Sequence, residues 1–174
     1  MSRLPGRPVY LLFYGANAAI LPILTLYYES AGIGGARLGL LAALLPAGSM
    51  IGGSLWGALA DSSGRHRLVL SATILGAALA AQLIIAGSSF LALVPIVALF
   101  AFAAAPIAPM LDHGVLTALG NNHGRFGRAR LWGAIGWGVS APLAGLVMDS
   151  LGLASAFPIY GVLMLGLLVF SYRD

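Results

Sequence analysis

The sequence predicts an all-α polytopic membrane protein, with six transmembrane helices laid out as two inverted three-helix repeats. Three observations carry this expectation. The chain is 60% hydrophobic and only 8% charged, against about 25% charged in a soluble domain, so lipid is its main solvent. Six apolar stretches, at 8–28, 38–60, 68–87, 90–118, 131–149 and 153–172, match the roughly 20 residues that cross a bilayer core of about 30 Å. Their short connections carry most of the charge. An even number of spans returns both termini to one side. Arg3, Arg7, Arg65, Arg67, Arg125, Arg128, Arg130 and Arg173 then fall on that side, and only Arg37 on the other. The arginine excess marks the first side as cytoplasmic.

The first span follows basic residues, as in a signal peptide. Its apolar run is about twenty residues long and no small-residue cleavage site separates it from further spans, so it is expected to be retained as a helix. Tyr10, Tyr14 and Asn17 form one polar stripe along it, suited to lining a cavity. The second span runs into "GALADSSGRHR", residues 57–67, and the third begins just after. The fourth carries Pro106, Pro109 and Asp112; its prolines are expected to bend it and free carbonyls beside protein or a wet cavity. Arg130 is expected to open the fifth span, and the sixth closes the chain. The repeat shows as "SLWGALADSSG" against "PLAGLVMDSLG", with Gly57/Gly145, Asp61/Asp149, Ser62/Ser150 and Gly64/Gly152 at one constant offset. Three helices separate the copies, so one lies on each side of the membrane, a device that gives secondary transporters access from both sides.

Composition also excludes functions. Without cysteine there are no disulfides and no thiolate metal sites. The net charge of +4 is all arginine and is explained by topology, so no nucleic-acid partner is expected. The five acids are scattered, with no two on one helix face, which argues against an intramembrane enzyme and against a metal site. No phosphate-cradling loop is present, so ion gradients rather than ATP would drive transport, and no cofactor is expected.

Asp112 is the first candidate site residue, because an ionisable group inside a span costs about 2.5–3.5 kcal/mol on insertion scales and marks a functional site by default. His113 points about 100° away around the helix and is expected to be a plain helix-end residue. Arg130 is the natural partner: its guanidinium either pairs with Asp112 across the helix interface or clamps a substrate carboxylate or hydroxyls. Ala134 and Trp137 follow on the same face. Trp137 offers an apolar plate for a sugar ring or an aromatic acid. Tyr14 and Asn17 complete the expected substrate-binding set. Asp61, Arg65 and Arg67, with Gly57 and Gly64 allowing close helix approach and a tight turn, form a candidate latch that holds one conformational state and breaks in another.

Gly57, Leu59, Ala60, Asp61, Gly64, Arg65 and Arg67 resemble the signature loop of the major facilitator superfamily, with Ser62 and Ser63 where the family often has basic or bulky residues. "FGRARLWGAIGWG", residues 126–138, is similar to the start of helix five in lactose permease and other oligosaccharide–proton symporters. That resemblance places the family's essential acid on Asp112, its essential arginine on Arg130 and its sugar-stacking tryptophan on Trp137; the acid here is aspartate, one methylene shorter. The chain also looks like the broader MFS-1-like group, which includes phenylpropionate and nucleoside carriers.

The resemblance implies a proton-coupled secondary transporter of a small polar solute (a sugar, nucleoside or aromatic acid) that works by alternating access in the bacterial inner membrane, both termini cytoplasmic. Its partners would be the solute, protons, the lipid bilayer and a second six-helix half, which carries the family's proton-coupling acids. Tyr172, Arg173 and Asp174 end at helix six without a linker, so the expectation is the N-terminal half of a twelve-helix protein rather than a half-size carrier that dimerises. Symport and antiport stay open, since "GWGVSAP", residues 136–142, matches the antiporter glycine–proline motif only in part. The alternative is a non-transporting six-helix assembly or channel component, which needs neither the latch loop nor the Asp112–Arg130 pair.

Overall fold

A computed structural model describes residues 6–87, 89–120 and 122–171 of the chain. Arg3, Tyr172, Arg173 and Asp174, used above for topology and chain end, lie outside the described residues. The elements are α1 (Arg7–Ser30), α2 (Gly35–Ser63), α3 (His66–Ala86), α4 (Phe90–Ala104), α5 (Ile107–Ala118), α6 (His123–Leu151), a 3₁₀ turn (Leu153–Ser155) and α7 (Ala156–Ser171). Taking α4 with α5 as one span, six helices are long and apolar enough to cross a membrane.

The packing obeys the repeat. α1 lies mainly on α6 and α7, α4 lies on α2 and α3, and α3 touches α7. Exchanging the first three spans for the last three maps this set of contacts onto itself. The copies of the repeated motif close α2 and α6, each 29 residues long, on glycines with positive φ: 63° at Gly64 and 86° at Gly152. Only glycine takes that backbone without strain.

Lipid offers helices no hydrophobic drive to associate, so close approach at small residues does the packing. Gly133 sits against the ring of Tyr14, and Gly136 against the backbone of Leu11, which lays α6 on α1. Gly48 and Gly52 meet Ala101 and the Phe102 carbonyl, which lays α2 on α4. The main core runs through α1, α3, α4 and α7, with Ile20, Leu24, Ile74, Phe100, Phe157 and Tyr160 fully buried. A smaller cluster of Tyr10, Val115, Leu119 and Ala129 joins α1, α5 and α6.

The fourth span is broken at Ala105–Pro106, as its prolines lead one to expect. Pro106 has no N–H to give the Phe102 carbonyl one turn back. Trp56 on α2 supplies the missing donor, its Nε1 lying 3.1 Å from that oxygen. Pro109 falls in the first turn of α5, where no intrahelical donor is needed.

Two helix boundaries differ from expectation. α6 begins at His123 rather than near residue 131, because Asn122 caps it through Oδ1 accepting the Arg125 N–H at 3.1 Å. Arg130 therefore lies two turns inside the helix instead of opening it. α2 likewise continues to Ser63, so Asp61 sits in its last turn rather than beyond it.

Candidate functional site

Asp112, Arg130 and two tyrosines of α1 meet where α1, α5 and α6 converge. The Tyr10 hydroxyl donates to Asp112 Oδ1 at 2.6 Å. Arg130 Nη2 lies 3.8 Å from Asp112 Oδ2, an ion pair too long for a hydrogen bond. The same nitrogen donates to the Tyr14 hydroxyl at 3.3 Å. The Asp112 side chain is 28% exposed and that of Arg130 is 50% exposed, so the pair is accessible from outside the bundle.

The tyrosines reach these charges because they are one turn apart on α1 and share a face. Tyr10 is buried among Val115, Leu119 and Ala129, with the Phe126 ring edge-on at 6.4 Å. Tyr14 is half-buried over Gly133, and a side chain at that glycine would displace it.

Ala134 and Trp137 continue the Arg130 face along α6, both exposed, while Gly133 and Gly136 are buried on the face toward α1. The expected face is thus present: a guanidinium, a small residue and an indole in line. Asn17 is not brought to the pair. Its amide donates to the Phe13 carbonyl of its own helix at 2.8 Å. Among the described residues the other guanidinium donors of Arg130, and Asp112 Oδ2, make no hydrogen bond, so this edge offers one acceptor oxygen beside several donors.

The second cluster lies across α5. Asp61 Oδ1 is 3.1 Å from His66 Nε2 rather than paired with Arg65 or Arg67, which form no ion pair among the described residues. The His66 ring stacks on that of His113, centroids 5.8 Å apart and planes at 23°. His113 thus makes a structural contact from α5 to α3, a partner that its place at the helix end does not name. A cavity of about 590 Å³ adjoins the stack, lined by Gly53, Gly57, Asp61, Arg67, Val115 and Ser171 among others. α2 packs on α4 but hardly on α5, so the break at Pro106 leaves this space open. Gly6 and Ser171, near the two ends of the described chain, line the same cavity, so both ends lie on one side of the bundle.

Sequence reasoning left two partnerships unseen. Tyr10 was placed on the polar stripe, yet which hydroxyl meets Asp112 depends on how α1 is rotated against α5. Arg7, expected only as a topology residue, lies over the Trp132 ring at 5.4 Å, which ties the start of α1 to α6.

Residues 7–173 match the MFS_1 like family. The chain is 32% identical over 158 residues to the maltose permease of Geobacillus stearothermophilus, covering 90% of this chain and 40% of the permease. It is 27% identical, also over 158 residues, to the uncharacterized transporter YwbF of Bacillus subtilis, covering 90% of this chain and 38% of that protein. The chain thus spans about two-fifths of the length of these curated relatives. No solved structure matches.

Proposed function

The chain belongs to the MFS_1 like family of membrane transporters, and from that premise we propose that it forms one half of a proton-coupled carrier for a small neutral sugar. The observation that carries this is the open Asp112–Arg130 pair, 3.8 Å apart and accessible from outside the bundle. An acceptor oxygen beside unpartnered guanidinium donors suits the hydroxyls of a sugar, which both give and accept hydrogen bonds. A singly charged anion would meet the guanidinium but also the carboxylate, which disfavours it. Trp137, farther along the same face, offers its ring to the apolar side of a sugar. The name of the maltose permease relative supports this solute class over nucleosides and aromatic acids.

In this proposal Asp112 Oδ2 accepts from one solute hydroxyl and Arg130 donates to a neighbouring one. Asp61, His66 and the arginines of the α2–α3 turn close against a second six-helix half in the alternate state, with Gly57 and Gly64 permitting the approach. That half, in the same polypeptide or a second copy, supplies the proton-coupling groups. α2 and α6, whose outward residues include Met50, Leu55, Ile135 and Val139, present it a face. Both termini are cytoplasmic in the bacterial inner membrane.

The test is uptake of radiolabelled maltose by cells expressing the full-length protein, with a nucleoside and an aromatic acid as competitors. Accumulation that collapses with a protonophore and resists both competitors is expected. Uptake of a competitor instead of maltose would reassign the solute class, and accumulation indifferent to the protonophore would overturn proton coupling.

A further inference from the structure

An arginine and an aspartate left alone at an interface close into two parallel N–H···O bonds, the strongest geometry open to them. Here they stand 3.8 Å apart, and each is bound by a different tyrosine of α1: Asp112 by Tyr10, Arg130 by Tyr14. Resting on the solute-site proposal above, we infer that Tyr10 is a positioning residue that holds Asp112 open from Arg130, so that the pair meets its solute without first having to be broken.

Three features assign this role to Tyr10. Its bond to Asp112, 2.6 Å, has the short length of a hydroxyl donating to a carboxylate. Its ring is 1% exposed and wedged among Val115, Leu119, Ala129 and Phe126, so the hydroxyl cannot follow if the carboxylate turns toward Arg130. The bond ties Oδ1 to a fixed ring, whereas a two-point pair with Arg130 needs both carboxylate oxygens turned to the guanidinium, and it leaves Oδ2 alone on the guanidinium side at 3.8 Å. Tyr14 plays the matching part from one turn away. A single helix thus sets the spacing of an acid on α5 and a base on α6. Binding energy that would go into separating the pair is retained for the solute, which is preorganisation in its simplest form.

Tyr10→Phe removes the hydroxyl and keeps the ring, so the cluster stays filled. Asp112 is then free to close on Arg130, and the two become energetically coupled. That coupling is measured without any solute, from melting temperatures of the purified full-length protein. Arg130→Gln is introduced into the unaltered protein and into Tyr10→Phe. The expected result is a larger drop in melting temperature in the Tyr10→Phe background. Equal drops in both backgrounds overturn the inference. Tyr14→Phe, which frees Arg130 from the other side, is the second variant and is expected to act in the same direction.

Uptake of labelled maltose separates the inference from the proposal on which it rests. Tyr10→Phe is expected to raise KM several-fold with a smaller change in maximal rate. A raised coupling with unchanged KM would leave Tyr10 as the spacer of the pair and remove the pair from the solute site.

Discussion

Asp112 and His113 are neighbours in sequence, yet they belong to two acid–base clusters on different faces of α5. Toward α1 and α6, Asp112 is 28% exposed and already held by Tyr10, with Arg130 close by. Toward α2 and α3, His113 stacks on His66, whose partner Asp61 is 81% exposed beside an open cavity. The first cluster is assembled on packed helices, beside the buried ring of Tyr10 and the half-buried ring of Tyr14. The second hangs on a turn and a helix end, with room around it. On the solute-site proposal, the difference separates a site that must keep its geometry to recognise a solute from one free to acquire a partner, since an exposed pair contributes little by itself.

Substitutions in the two clusters should behave differently. The largest effect is expected at the assembled cluster: Asp112→Asn or Arg130→Gln each removes a charged hydrogen-bond partner, worth about 1.5–3 kcal/mol, and raises the uptake KM roughly 10- to 100-fold. An unchanged KM in both variants would remove the pair from the solute site. Next come the glycines. Gly136 lies against the Leu11 backbone, so Gly136→Val forces α6 off α1 and lowers stability by roughly 1–3 kcal/mol in thermal melts. Gly57 has no atom within 4 Å of an added Cβ, and Gly57→Ala should leave the melting temperature unchanged or slightly higher. If Gly57→Ala nevertheless slows uptake, the open cavity closes on a partner during the cycle; normal uptake would count against the latch.

Smaller effects follow. Trp137→Ala is expected to raise KM a few-fold, on the scale of about 0.5–1.5 kcal/mol for an aromatic contact, while Trp137→Phe restores most of it. Equal KM values for the two variants would place the indole away from the solute. The smallest change is expected for His66→Ala, whose side chain is 46% exposed: a shift within about 0.5 kcal/mol in melts, with any loss confined to maximal rate.

Much of this architecture is legible in the sequence because lipid imposes blunt rules. Each span must be long and apolar, and Pro106 with Pro109 announces the break in the fourth. Gly64 and Gly152, at equivalent places in the repeat, both take the positive φ that ends a helix. The start of α6 was less legible. "GRFGRAR" looks like loop, since two glycines and three arginines oppose a buried helix, but the Asn122 cap and an outward-facing stretch make it helical. The Asp112–Arg130 pairing could be read because charges inside spans seek each other. The Tyr10–Asp112 bond could not, because the rotation of α1 is set by Gly133 and Gly136 far along the chain. Helical geometry correctly turned His113 away from Asp112, but geometry within one helix is silent about the His66 ring waiting on the other side.

The absence of cysteine from the chain makes the most direct test available. Ala134 lies between Arg130 and Trp137 on the exposed face of α6, and Gly57 lines the open cavity. Single cysteines at these two positions, in full-length protein from which any cysteine outside this chain has been replaced, are alkylated with and without maltose. If Asp112, Arg130 and Trp137 form the solute site, maltose slows the reaction of Ala134→Cys through direct contact, and Arg130→Gln abolishes that protection. Ala134→Cys alkylated at the same rate with saturating maltose, or protection found only at Gly57→Cys, would contradict it.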